Sequence, residues 1–396
     1  MTPRTTYCTI LARNYLPKAQ ALAETLAQHH PDATLVVLLI DHRSDADLPE
    51  VPGVRCVSTQ ILGLDERTVL ELAMIYDLVE FATAVKPVLL DQLLNETEQV
   101  VYLDPDTFVT SPMEELTPAL EESEGGIVLT PHFLEPVPPN VHLTEGHMLN
   151  VGVYNLGFCA VDRRSRPFLD WWWGHTKSEC LHDPLSGIFV DQKWVDIGSV
   201  LFSAGVLRHY GYNTGIGNLH ERPIGRDDDG YFVESSGDRL RLFHFHAFDT
   251  SAPEELSTRW GGSTVHFRQE SPALDALCEE YATLLVKIEK GMGPAPAYPY
   301  WTDSRGRRIS RHLRRAYRLQ LETGAELPSP FLPDEADAYD AWRRSARKAV
   351  ARDLMGDASK SVRLALPDEY ARVKERFPGL VRRFRERFVG RSGMWG

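Results

Sequence analysis

An α/β fold, a sheet of mainly parallel strands with crossover helices followed by a helical C-terminal module, is predicted from three observations. Strand-like and helix-like segments alternate through the first 110 residues, one apolar run suits a strand buried on both faces, and the last hundred residues change in charge and periodicity. The chain opens on TTYCTILA (5–12), rich in the β-branched and aromatic residues that strands favour. LPKAQALAETLAQHH (16–30) repeats its apolar positions with helical spacing. TLVVLLID (34–41) is a continuous apolar run, as expected of a strand covered by helices on both sides. The stretch 66–96 reads as one or two helices with a break at Pro87, and QVVYLDPDTFV (99–109) is a strand that ends in acidic residues. This order implies parallel strands joined by right-handed crossovers, and in such sheets ligands collect beyond the carboxyl ends of the strands. Ala12–Tyr15, Asp41 and Asp104–Asp106 all fall there.

The middle of the chain is less regular. VGVYNLGFCAV (151–161) and RLRLFHFHAF (239–248) read as strands, RPFLDWWWGHT (166–176) as a helix, and PAPAYPY (294–300) has the composition of a linker. Beyond it, SRHLRRAYRLQLETG and DAYDAWRRSARKAVARDL read as amphipathic helices. The expected division is therefore a catalytic α/β domain over 1–290 and a basic helical module over 291–396.

The balance of 43% apolar and 25% charged residues belongs to a folded globular chain. No apolar run approaches the ~18 residues of a spanning helix, and no secretory signal is read at the N-terminus. Five cysteines without CxxC spacing argue for a reducing compartment, with the cytoplasm as the default. Residues 301–396 hold 22 Lys and Arg against 13 Asp and Glu, a net +9, which leaves −22 on the first 300. An acidic body repels a nucleotide diphosphate unless a cation intervenes, and no nucleic-acid partner is expected. The basic module could meet an anionic partner, a membrane face as a peripheral contact, or the acidic body itself.

Three constellations carry chemistry. Asp104-Pro105-Asp106 places two carboxylates at a strand end, where Pro105 forces the chain out of the sheet. Hard oxygen ligands of this kind suit Mg²⁺ or Mn²⁺, which keep coordination sites open for phosphates. An ordinary Asp-Pro turn is the other reading. His244 and His246 lie two apart, so on a strand both rings share a face and either could be a third ligand; a histidine bonded to a backbone carbonyl is the alternative. Tyr154-Asn155-Leu156-Gly157 and Asp191-Gln192 supply the amides and carboxylates that sugar hydroxyls need. Trp171–Trp173 read as core packing.

Taken together, YLDPD (102–106), YNLGF (154–158), VDQ (190–192) and HFHA (244–247) resemble the retaining GT-A enzymes of glycosyltransferase family 8 and its bacterial relatives, the group that includes glycogenin and the lipooligosaccharide galactosyltransferases. The order and rough spacing agree over about residues 5–260. The resemblance implies a GT-A fold, Rossmann-like with a mixed sheet flanked by helices, and Mn²⁺ or Mg²⁺ as cofactor. It implies transfer of a sugar from a nucleotide-diphosphate donor, a UDP-sugar, to a glycan, glycolipid or small-molecule acceptor. Carried over residue by residue, Asp104, Asp106 and His244 would hold the metal. Ala12, Asn14 and Tyr15 would lie against the nucleoside, with Lys86 near the donor. Asn155 and Asp191 would contact the transferred sugar, and Gln192 would sit near its anomeric carbon. The chain departs from the pattern at Ala247, where the family has glycine, and in lacking Lys-Pro-Trp; Ser257-Thr258-Arg259-Trp260 is the nearest counterpart, with Arg259 as the diphosphate contact. An inverting enzyme with Asp191 as base, a nucleotidyltransferase, and a carbohydrate-binding or scaffold protein without activity are the competing readings. A nucleotidyltransferase would open on a glycine-rich loop where this chain has Leu11-Ala12-Arg13-Asn14-Tyr15.

Overall fold

In a computed structural model that describes residues 4–139, 141, 143–259 and 264–376, the chain divides into two compact units. The first comprises Met1–Asp65, Ala82–His182 and Gly187–Tyr298, and the second Glu66–Phe81, Asp183–Ser186 and Pro299–Gly396. Trp260 and everything beyond Arg376 lie outside the described residues.

The first unit is built on a seven-stranded sheet. Six of its strands are β1 (Thr5–Leu11), β2 (Leu35–Leu39), β3 (Val54–Val57), β4 (Gln99–Leu103), β6 (Ile127–Pro131) and β7 (Tyr154–Asp162), and β5 (Thr107–Val109) leaves it for a smaller sheet. The order is β3-β2-β1-β4-β7-β6, closed at the edge by Gly205–Val206. Neighbours pair in parallel except β7, which runs antiparallel to both β4 and β6. The mixed sheet flanked by helices is thus the one expected. β2 is buried at all five positions, as its unbroken apolar run requires. The helix Leu16–His29 follows β1, with Pro17 in its first turn and Leu22 and Leu26 packed onto β2 and β4 in one core.

The stretch read as one or two helices makes three, Glu66–Ile75, Leu78–Ala84 and Lys86–Leu93, and Pro87 sits in the first turn of the third, where its missing N–H costs nothing. The segment 239–248 is a strand only over Leu242–His244, paired antiparallel with β5. It turns away because His246 N–H bonds back to His244 O at 3.0 Å and Ala247 adopts φ 53°, which no strand allows. A second core surrounds this turn, with Phe245 stacked on Tyr281 of the helix Pro272–Met292 at 4.0 Å. Four of the five cysteines, Cys8, Cys159, Cys180 and Cys278, are buried.

The second unit is helical, as the C-terminal sequence predicts. Its centre is the helix Arg311–Leu321, whose Arg314 and Arg315 are buried. Arg314 donates to the carbonyls of Ala73 (2.7 Å), Tyr76 (2.6 Å) and Tyr300 (2.6 Å), and Arg315 pairs with Glu80 at 2.5 Å. No helix among the described residues is long and apolar enough to cross a membrane.

Candidate metal and donor site

Three chain segments end at one place in the first unit. β4 ends at Leu103, and Asp104 N–H then bonds to Gly157 O of β7 at 2.9 Å. Thr107 N–H returns to Asp104 O at 3.1 Å, so Pro105 and Asp106 form the tip of a tight turn. Phe245 N–H bonds to Asp106 O at 2.8 Å, which brings the Leu242–His244 strand alongside. One ligand atom each from Asp104, Asp106 and His244 lies within 4.8 Å of the others. His244 Nε2 is 3.1 Å from Asp106 Oδ1 and 3.6 Å from Asp104 Oδ2.

The orientation of the His244 ring is decided by a residue that sequence reasoning missed. Asn213 Nδ2 donates to Asn155 O at 2.8 Å and to Thr130 Oγ1 at 3.0 Å, so its amide oxygen faces the other way. That oxygen lies 2.9 Å from His244 Nδ1, which must therefore be the N–H donor. In neutral imidazole the lone pair is then on Nε2, aimed at two carboxylates. Three acceptors face one another here, an arrangement that asks for a proton or a cation between them. The oxygen and imidazole donor set and its outer support by Asn213 are what a first-row or alkaline-earth dication uses, so the residues fit Mn²⁺ or Mg²⁺. Burial opposes ionisation of Asp106; with a proton in that place, on Nε2, the charge and hydrogen bond of His244 outweigh it and hold the carboxyl below its ordinary range. Asn213 itself sits at φ 52°, a conformation Asn tolerates better than most residues, and this is the signal in Tyr212-Asn213-Thr214-Gly215 that could have found it.

Gly157 leaves room for the ring. A Cβ there would come 2.3 Å from His244 Cε1 and 2.4 Å from Nδ1. Gly157→Ala is expected to push the imidazole off Asn213 and weaken Mn²⁺ binding by roughly 10–100-fold, the usual effect of losing an outer-shell partner. Calorimetric titration of Mn²⁺ checks this; unaltered affinity would mean that the ring is not held by this contact.

Around the cluster stand several of the other residues singled out in the sequence. His246 stacks on His244 with centroids 3.5 Å apart, so both rings do share a side, through the turn rather than through a longer strand. Burial, and then the neighbouring His244, push His246 well below the usual histidine range. Tyr15 is 38% exposed; burial, then Asp106, raise its hydroxyl pKa while Arg259 lowers it, so both charged groups act on Tyr15. Asn14 is in the same turn as Tyr15, and its Oδ1 is buried without a hydrogen-bond partner among the described residues, as is His246 Nδ1. Ala12 is buried and contributes backbone, its carbonyl accepting Tyr15 N–H at 2.9 Å. Asp41 anchors this turn through Arg13 N–H at 3.2 Å and Arg13 Nε at 3.1 Å.

Lys86 and Asp191 form a buried ion pair at 3.1 Å, with side chains 4% and 1% exposed. Lys86 also donates to Leu156 O at 3.2 Å and lies over the Tyr102 ring at 4.2 Å, and Tyr102 donates to Asp104 Oδ1 at 2.7 Å. The pair is thereby joined to the carboxylate turn. Burial disfavours the ammonium form of Lys86, yet Asp191 and Asp104 more than compensate and raise its pKa. Burial raises Asp191, which Lys86 partly offsets. Asn155 is turned onto its own backbone, its Oδ1 accepting Gly157 N–H at 3.1 Å. Gln192 donates to Val151 O at 3.0 Å and lies 3.5 Å from His132 Nε2. His132 was not anticipated, although it stands just past the carboxyl end of β6; burial, then His244, hold it neutral with a pKa of about 3.

Fold and site together define a mixed α/β protein with a carboxylate–imidazole cluster at the carboxyl ends of its strands. No family model matches the chain. It is 28% identical over 263 residues to the uncharacterised protein YfnF of Bacillus subtilis (strain 168), which covers 63% of this chain and 84% of that protein. Among solved structures it is similar to the galactosyltransferase LgtC in complex with donor and acceptor sugar analogues, at 15% identity and a TM-score of 0.37, over 72% of this chain and 95% of that one. It is also similar to a glycosyltransferase involved in glycosylation of the major capsid of PBCV-1, at 13% identity and a TM-score of 0.35, over 61% and 93% of the two chains.

Proposed function

We propose that the chain is a divalent-metal-dependent glycosyltransferase that moves a sugar from a UDP-sugar to an acceptor hydroxyl with retention of configuration. The observation that carries this reading is the Nε2 lone pair of His244 facing Asp104 and Asp106, with Nδ1 held by Asn213. Mn²⁺ or Mg²⁺ held by these three residues would neutralise the donor diphosphate and stabilise it as leaving group. Tyr15 would offer a nucleoside an aromatic face, and Asn14 and His246 two buried polar atoms without a hydrogen-bond partner among the described residues. Arg259 is the diphosphate contact. Residues 1–290 are the catalytic part, and the basic module 291–396 positions the acceptor or a partner.

Asp191 holds sugar hydroxyls and Gln192 lies by the anomeric carbon. An inverting base must reach the attacking hydroxyl within ~3 Å and be free to take its proton. At 1% exposure and in an ion pair with Lys86, Asp191 suits a holding role better than that one. Retention needs no such base, because the departing phosphate can accept the proton while the protein positions and stabilises an oxocarbenium-like sugar.

The test is thermal unfolding with UDP, GDP, dTDP and CDP, each with and without Mn²⁺. UDP at ~100 times its dissociation constant is expected to add about 2.7 kcal/mol of stability, and only when the metal is present. A carbohydrate-binding or scaffold protein would show no such coupling. NMR of the first product from an α-linked donor then reads the stereochemistry: an α-glycoside agrees with retention, and a β-glycoside overturns it.

A further inference from the structure

The second unit contains a cavity of about 510 Å³ that the proposed transfer reaction does not use. Arg307, Arg343, Arg344 and Arg347 line it against one carboxylate, Asp340, and Leu313, Val350 and Leu354 supply apolar wall. Arg307 is engaged by Asp303 at 2.9 Å and by Asp340, and Arg343 by Asp303 at 3.1 Å. Arg344 and Arg347 are exposed, and neither has a hydrogen bond or ion pair to a carboxylate among the described residues. The cavity thus presents two exposed guanidinium groups beside aliphatic wall, of which Arg344 meets Asp340 through charge without a hydrogen bond among the described residues, and guanidinium matches phosphate oxygens in a bidentate fork.

The apolar wall does not stop at the cavity. It continues along the helix Arg347–Ala365, where Arg347, Ala351, Leu354, Met355, Ala358 and Val362 are all exposed. Steps of three and four put them on one face. Leu354 is 53% exposed and Val362 49%, and Leu366, just past the helix, 50%. Lys348, Arg352 and Arg363 are exposed as well and lie to one side of this stripe. The opposite face is spoken for, since Asp353 bonds to His312 of the neighbouring helix at 2.8 Å. A solvent-facing apolar stripe flanked by Lys and Arg is the form of a helix that lies in a membrane interface, and no helix among the described residues is long and apolar enough to cross one.

We infer that this face docks on a bilayer containing anionic lipid, with the arginine-lined cavity taking a phosphate headgroup and Leu354, Met355 and Val362 reaching the acyl boundary. A soluble anion would use the arginines and leave the leucine stripe without a role. The net charge of +9 over residues 301–396 has the sign that anionic lipid requires. This inference is independent of the transfer reaction, because its readout needs neither donor nor metal.

The test is sedimentation of the full-length protein with phosphatidylcholine vesicles and with mixed phosphatidylcholine–phosphatidylglycerol vesicles. Binding is expected only to the mixed vesicles, and it should weaken as salt is raised. Arg344→Glu/Arg347→Glu and Leu354→Ser/Val362→Ser should each lower partitioning at least about tenfold, with melting curves like that of the unaltered protein because all four side chains are exposed. The milder Arg344→Gln/Arg347→Gln pair should fall between. Equal binding to both vesicle types, no binding to either, or wild-type partitioning of both double variants would overturn the inference. So would arginine-dependent calorimetric binding of inorganic phosphate without vesicle binding, which would assign the cavity to a soluble anion instead.

Discussion

Asp106→Asn is expected to lower turnover by at least about a thousandfold and to remove the Mn²⁺ dependence of donor binding, with the fold intact. The several kcal/mol that a Lewis acid lends to a departing diphosphate correspond to that factor, at 1.36 kcal/mol per tenfold. The variant should fold, because an Asn amide nitrogen at the same place can donate to the His244 Nε2 lone pair across about the 3.1 Å now seen for the carboxylate. It offers no negative charge, however, and the candidate site then keeps one carboxylate on a body of net −22. Initial rates and UDP binding, each measured with Mn²⁺ and with excess chelator, decide the matter. Undiminished activity in the variant or in chelator would remove the metal from the proposed reaction.

Lys86→Met is expected to be the most destabilising single change in the first unit, by roughly 3–5 kcal/mol at pH 8, because it leaves a buried carboxylate without its partner. The expected pH dependence follows from Asp191. Its folded pKa is already raised by burial, and removing Lys86 raises it further. A raised carboxyl contributes stability that is fully present below its unfolded pKa and is lost as pH climbs through the folded value. The deficit of Lys86→Met should therefore shrink as pH is lowered from 8 towards 4. Adding Asp191→Asn should restore much of the stability at pH 8 and flatten the pH profile. A deficit that does not vary with pH would mean that lost packing against Tyr102, and not the orphaned charge, is the cause.

The parts of this architecture that were legible in the sequence are those set by short-range pattern. β1, β2 and β4 follow from apolar runs and the turn after β4 from Asp-Pro-Asp; the spacing left His244 and His246 both open as partners of Asp104 and Asp106, and it was the family resemblance that implied His244, the one that meets them. What escaped the reading depends on pairs distant in the chain. Asn213 decides which nitrogen of His244 bears the proton, yet it is 31 residues away in an irregular segment. His132 reaches Gln192 across 60 residues. The strand through 239–248 was overextended because alternation of Phe and His continues past the point where Ala247 adopts a left-handed backbone. A sequence pattern records side-chain polarity and says little of φ at a single alanine.

The arginine at 314 bears on the order in which the chain can fold. Its carbonyl partners at Ala73 and Tyr76 lie 241 and 238 residues earlier, and Glu80 waits equally long for Arg315. During synthesis the helix Glu66–Ile75 emerges well before the segment that covers it, and contacts of such sequence separation close late and slowly. The segment Glu66–Phe81 must therefore either wait uncovered on the nascent chain or be sheltered by other factors until Arg314 leaves the ribosome. A single cut after Tyr298 would make that exposure permanent, so the two units cannot be separated into independently folding pieces by truncation alone.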